Sequence, residues 1–155
     1  MVRSASWKTT VNLWTLLHHT RELHEKLLKL SVGHRDTRDS CAFASYLLDF
    51  SVKRWLPQMR SCVRGGDGAA DGGYFDTAGR GHAHYWAELD DGNDQWVADI
   101  TADQFGGPPI VLMKLAEAQD RYVPGDAALV AEHMEVFGEW LAEAPTTTEP
   151  GGSAS

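Results

Sequence analysis

The sequence predicts an α+β fold in which a central buried helix packs on a small antiparallel sheet, flanked by N- and C-terminal helices. Three observations predict it. Apolar residues recur at helical spacing from about residue 11 to residue 30, crowd the stretch from 41 to 56, and recur at helical spacing again from about residue 126. Between those stretches lie short apolar runs punctuated by Gly, Pro, Asp and Asn, which read as strands and turns. One helical stretch is apolar on almost every side, which places it in the middle of the domain. Helices first, strands next and a helix last is the order of an α+β layer fold. At 155 residues and 43% hydrophobic, the chain suits one domain with a substantial core. The expected boundaries are a single domain over 1–144 and a flexible tail over 145–155, where Pro, Thr, Gly and Ser accumulate.

The first helix is expected from Val11 to Leu30, with Leu13, Leu16, Leu17, Leu23, Leu27 and Leu30 as its stripe and Trp14 widening it. Gly33 is its stop, and Arg21, Glu22, Glu25, Lys26 and Lys29 make its wet face. His18, His19, His24 and His34 read as surface residues. His24-Glu25 begins like a zinc-protease helix, but position 28 is Leu, so the second ligand is missing. The second helix opens at Cys41 behind Asp39 or Ser40 as N-cap and runs to Leu56, before Pro57. Gly65–Gly73 holds five glycines in nine residues and is expected to be a flexible loop. No Gly-Lys-Ser/Thr follows it, so it is not a phosphate loop. Strands are expected at Met59–Val63, Gly81–Leu89 and Gln95–Ile100, the last two joined by a turn over 90–94. Another short apolar run covers Ile110–Met113. A helix from Asp126 to Ala142 turns Leu129, Val130, His133, Met134, Phe137, Trp140 and Leu141 inward.

Charge narrows the function. Lys and Arg number 14 against 22 Asp and Glu, a net of -8. A nucleic-acid binder needs a basic footprint to displace counterions, and an anionic membrane surface attracts basic segments. Neither partner is expected. No run approaches the roughly 18 apolar residues of a membrane span, and the first residues lack the apolar region of an export signal. The expectation is a cytoplasmic protein whose two cysteines, Cys41 and Cys62, are reduced thiols.

Three residues then fall in a meaningful order: a cysteine opening a buried helix, a histidine on a strand, and an aspartate on the next strand. The partial positive charge at a helix N-terminus favours the thiolate, the nucleophilic form of cysteine. A nearby histidine serves as base and then as proton donor to the leaving group. A carboxylate holds that imidazole in one tautomer. The stretch Gly81-His82-Ala83-His84-Tyr85-Trp86-Ala87-Glu88 sets His82, His84, Trp86 and Glu88 on one strand face. The following Gln95-Trp96-Val97-Ala98-Asp99-Ile100-Thr101 brings Asp99 back to about the level of His84.

At these residues the chain resembles the transglutaminase-like branch of the papain-like cysteine enzymes. Cys41, the stretch His84-Tyr85-Trp86-Ala87-Glu88, and Trp96 through Asp99-Ile100-Thr101 stand in that family's order, over about residues 38–106. The resemblance implies a papain-like core, a Cys41–His84–Asp99 triad, and acyl transfer at a glutamine side chain or a peptide or amide bond. It also implies a peptide or protein substrate, with hydrolysis favoured because water is always present. The extra His82 and the continuation Ala102-Asp103-Gln104-Phe105-Gly106 depart from the pattern. A Cys/His pair works without a cofactor or metal, and none is expected.

Each of these residues also has a plainer reading. Cys41 can be a small buried hydrophobe, Asp99 a turn cap with Thr101, and Glu88 a solvated strand residue. Cys62 reads as a core thiol. Trp86 and Trp96 read as core aromatics fixing the hairpin, with Trp86 also a weaker substrate-site candidate. His82 is a rim residue that contacts substrate, or the base in place of His84. Gln104 offers a side-chain amide to an oxyanion or substrate, or is a surface glutamine. Two other functions compete: a cupin-like metal site on His82, His84 and Glu88, and a non-catalytic interaction module. The cupin reading conflicts with the helical first third and lacks a second ligand motif. The sequence leaves the oligomeric state open.

Overall fold

A computed structural model of the chain describes residues 7–33 and 40–143. Its elements in chain order are α1 (Trp7–Val32), α2 (Cys41–Trp55), β1 (Arg60–Gly66), β2 (Gly73–Phe75), β3 (Gly81–His82), β4 (His84–Asp90) and β5 (Gln95–Asp99). A four-residue 3-10 turn (Ala102–Phe105) follows, then β6 (Val111–Lys114), α3 (Leu115–Ala118), β7 (Tyr122–Val123) and α4 (Ala127–Glu143). This is α+β. The strands make two antiparallel sheets, one of four in the order β1-β4-β5-β6 and one of three in the order β3-β2-β7. No described helix is long and apolar enough to cross a membrane.

The large sheet is covered on both faces. Strand alternation sends Ala87, Leu89, Trp96 and Ala98 to one side, where they pack with Leu13 and Leu17 of α1 and Ala44, Leu48 and Val52 of α2. It sends Trp86, Val97 and Val111 to the other, against Tyr74 of β2, Ala118 of α3 and Tyr122 of β7. Strand β5 is therefore buried on successive residues from Trp96 to Asp99. Helix α4 lies over α2, its Phe137 ring 5.9 Å from Phe43 and 5.6 Å from Tyr46.

Several expectations are corrected. The buried face of α1 carries Leu13, Leu17, Thr20, Arg21, His24 and Leu28, whereas Leu23 is exposed and Leu30 is 84% exposed. Polar residues occupy that face because each has a local answer: Thr20 Oγ1 donates to the Leu16 carbonyl at 2.7 Å, Arg21 is hydrogen-bonded throughout, and His24 Nε2 lies 3.0 Å from Ser40 Oγ. Helix α2 is one-sided, with Ala44, Leu48 and Val52 buried and Trp55 67% exposed. Ser40 holds the N-cap position but makes no side-chain cap bond, since its hydroxyl meets His24 instead. Asp39 and His34 lie outside the described residues, as does the expected tail.

The glycine-rich stretch is a loop only over 67–72, and its ends belong to strands. Gly65 and Gly66 end β1, paired with Tyr85 and His84, and Gly73 opens β2. A Cβ on Gly66 would sit 2.2 Å from the Gly73 nitrogen, and one on Gly65 would sit 2.6 Å from the Tyr85 ring. The glycines are there because backbones approach closely. The expected long strand over Gly81–Leu89 breaks at Ala83: β3 pairs with β2 in the small sheet, β4 with β1 and β5 in the large one. On α4, Val130 is buried and Phe137 partly so, but Leu129 and His133 are exposed. The Trp140 and Leu141 side chains lie outside the description.

Candidate active site

Two element starts supply the site: the first residue of α2 and the first residue of β4. Cys41, half-buried, opens the helix. His84 opens the strand and is 0% exposed. One rung past Ala87 with Ala98, the end of the β4–β5 ladder, Asp99 stands across from Trp86 and so diagonal to His84. That diagonal is short enough for a bond: His84 Nε2 lies 2.7 Å from Asp99 Oδ2. The Gln104 amide nitrogen stands 3.3 Å from the other ring nitrogen, Nδ1, and a hydrogen bond with the Cys41 side chain is among the causes that raise the ring's pKa. Imidazole and carboxylate are thus bonded directly, and the Cys41 thiol acts on the same ring.

The electrostatics follow from those contacts. Burial alone would lower the affinity of His84 for a proton. The charge and hydrogen bond of Asp99, with a smaller contribution from Cys41, outweigh it and raise His84 to about 9. At neutral pH the ring is an imidazolium beside the thiol. The Gln104 amide suits either ring state, since its NH2 donates to a bare Nδ1 and its carbonyl accepts from a protonated one.

Asp99 is both the partner of the histidine and a turn cap. Its Oδ1 accepts from the Thr101 backbone N–H at 2.9 Å and from Thr101 Oγ1 at 3.3 Å. Its Oδ2 accepts a second bond from the Tyr122 hydroxyl at 2.9 Å. Burial, then the Asp99 charge, pushes the Tyr122 phenol well above its ordinary range, so it stays a neutral donor. Tyr122 was not legible beforehand, because it sits on a two-residue strand, β7, with no periodic pattern around it.

An aromatic wall closes the back of the site. The Phe105 ring meets His84 edge-on at 5.0 Å and stacks on His82 at 4.3 Å, and Tyr74 stacks on Phe105 at 5.4 Å. His82 is accordingly a brace: its Nε2 is 2.9 Å from Asp76 Oδ2. Trp86 is fully buried against Tyr122, 5.2 Å between rings, and offers no surface to a substrate. Gln104 is in place beside the imidazole.

The other candidates lie apart. Cys62 is exposed on β1, an edge strand, and burial of its sulfur together with nearby acids still raises its pKa. It lines a cavity of about 560 Å³ with Arg60, Arg64 and Glu88, away from the Cys41 thiol. Glu88 is engaged by Arg64 at 3.4 Å, His82 by Asp76 and His84 by Asp99. The three residues of the cupin-like spacing therefore serve three separate partners, and among the described residues no group of three or more such side chains converges on one point. In comparisons with family models, characterised proteins and solved structures nothing matches this chain, so its reading rests on its own geometry.

Proposed function

We propose that this protein is a cysteine-dependent acyl-transfer enzyme, a hydrolase of peptide or amide bonds, working through Cys41, His84 and Asp99. One observation carries the reading: a single buried imidazole is bonded through Nε2 to a carboxylate and also interacts with a thiol at a helix start. That arrangement splits a difficult hydrolysis into two easier steps. It also supports the transglutaminase-like resemblance as a proposal for the core.

In the first step the Cys41 thiolate, facing the His84 imidazolium, attacks the carbonyl carbon, and the carbonyl π pair moves to oxygen. The resulting oxyanion is received by backbone N–H groups at the start of α2, which carry no side-chain cap from Ser40, and by the Gln104 amide. The oxyanion collapses, the C–N bond breaks, and the leaving nitrogen takes the proton from His84. A thioester remains on Cys41. Water then attacks it, His84 accepts the proton of that water, and the acid departs as the thiolate is restored. An amine in place of water would give a cross-link.

The test is intact mass after exposure to peptide and protein substrates. An acyl adduct on Cys41, absent in Cys41→Ser, supports the reading. A protein that binds such substrates without any adduct, product or loss of reactivity in the variant is an interaction module, and the reading falls.

A further inference from the structure

Arg21 is a buried cation with an unusual set of partners. Its Nε donates to Glu25 Oε1 at 2.9 Å, and its Nη2 donates to Asp103 Oδ2 at 2.7 Å. Its Nη1 reaches Asp103 Oδ1 at 3.0 Å and the carbonyls of Ile100 at 2.5 Å and Pro109 at 3.3 Å. The guanidinium therefore holds the chain from Ile100 to Pro109 at its beginning, middle and end. Between those tethers lie three contacts of the segment with the candidate site. Thr101 bonds Asp99, Gln104 meets His84 Nδ1, and Phe105 covers the His84 ring.

The segment needs an external tie. The 3-10 turn over Ala102–Phe105 is closed by backbone bonds of 3.3, 3.2 and 3.0 Å, and it ends at Gly106 in the left-handed region, φ 81°. Such short turns hold themselves poorly. Only a planar fork of five donors can serve a carboxylate and two carbonyls together; a lysine has three donors at one point. Desolvating a charge is also costly, so a hydrophobic residue would serve stability alone at least as well.

We propose that Arg21 is a positioning residue for the site: from α1 it sets the turn that aligns Gln104 on His84 Nδ1. The inference rests on the catalytic reading of Cys41, His84 and Asp99, and its test separates the two. The measurement is the rate of Cys41 alkylation by iodoacetamide against pH, with Cys62 as internal reference and thermal melting as the check on folding. Gln104→Ala is expected to slow Cys41 at mildly acidic pH and move its profile upward. Arg21→Lys, which keeps the charge and loses the fork, is expected to reproduce at least about threefold of that slowing, and the double variant to be no slower than the worse single one. Asp103→Asn, at the partly exposed end of the clamp, is expected to act in the same direction, and it carries the test if Arg21→Lys does not fold. If both clamp variants keep the wild-type Cys41 profile, or if their effects multiply with Gln104→Ala, Arg21 is a structural tie only and the proposal is overturned. A wild-type Cys41 that reacts no faster than Cys62 overturns the catalytic reading and takes this proposal with it.

Discussion

Cys41 and Cys62 offer a contrast in which exposure and electrostatics predict opposite outcomes. Cys62 is the more accessible thiol, but its burial-raised pKa keeps it protonated. Cys41 is half-buried, yet it opens α2 beside the His84 cation. Since the thiolate is the reactive form, iodoacetamide at mildly acidic pH is expected to label Cys41 well ahead of Cys62; peptide mapping reads the ratio. Substitutions grade the partners. His84→Ala is expected to abolish acyl-enzyme formation, and His82→Ala to leave most of it, since His82 touches Asp76 and Phe105 but has no bond to the thiol. Asp99→Ala is expected to fall between them, because orientation is lost while the base remains. Tyr122→Phe removes one hydrogen bond to a buried carboxylate that keeps three others, a loss of about 1–2 kcal/mol, or roughly tenfold in acylation rate.

Helix α2 and the β4–β5 hairpin were legible from residue pattern, and the family resemblance then singled out Cys41, His84 and Asp99 on them. A capped apolar run and an Asp/Asn/Gly turn are local signals. What escaped was non-local. Thr20, Arg21 and His24 look like a wet face until the acceptors at Ile100, Asp103, Pro109 and Ser40 are known, and those lie up to 88 residues away in sequence. The two-residue strands β3 and β7 carry no period, and they form only because β2 lies between them. Glycine misled for a related reason. The same residue that loosens a loop also permits close backbone packing, and the two uses are indistinguishable in one sequence. Gly66→Ala places a Cβ 2.2 Å from the Gly73 nitrogen, on the residue paired with His84. It is expected to cost about 1–3 kcal/mol and to slow Cys41 alkylation as well. Gly79→Ala, with open space around it and φ 76°, is expected to cost only about 1 kcal/mol of backbone strain and to leave the site intact. Denaturant melts and alkylation rates of the two variants make the comparison.

Across the whole molecule, two wholly buried histidines are shifted in opposite directions, and stability should register both. His24, on the buried face of α1, is lowered to about 4, first by burial and then by the neighbouring Arg21 charge, so it stays neutral when folded. Between about 6.5 and 4 the unfolded chain binds a proton that the native state refuses, and stability falls as pH falls through that window. His84 does the reverse. Raised to about 9, the native ring keeps a proton that the unfolded chain has released, so its contribution is complete below about 6.5 and is lost as pH rises through about 9. Each window is about 2.5 pH units wide, which is a few kcal/mol at its far end. The two slopes meet near pH 6.5, where these histidines together stabilise the fold most. Urea titrations from pH 4 to pH 9 are expected to give a maximum there. His84→Gln should flatten the alkaline arm and His24→Gln the acid arm. An alkaline arm that persists in His84→Gln would mean that the imidazolium–carboxylate pair is not what the native sheet is holding at neutral pH.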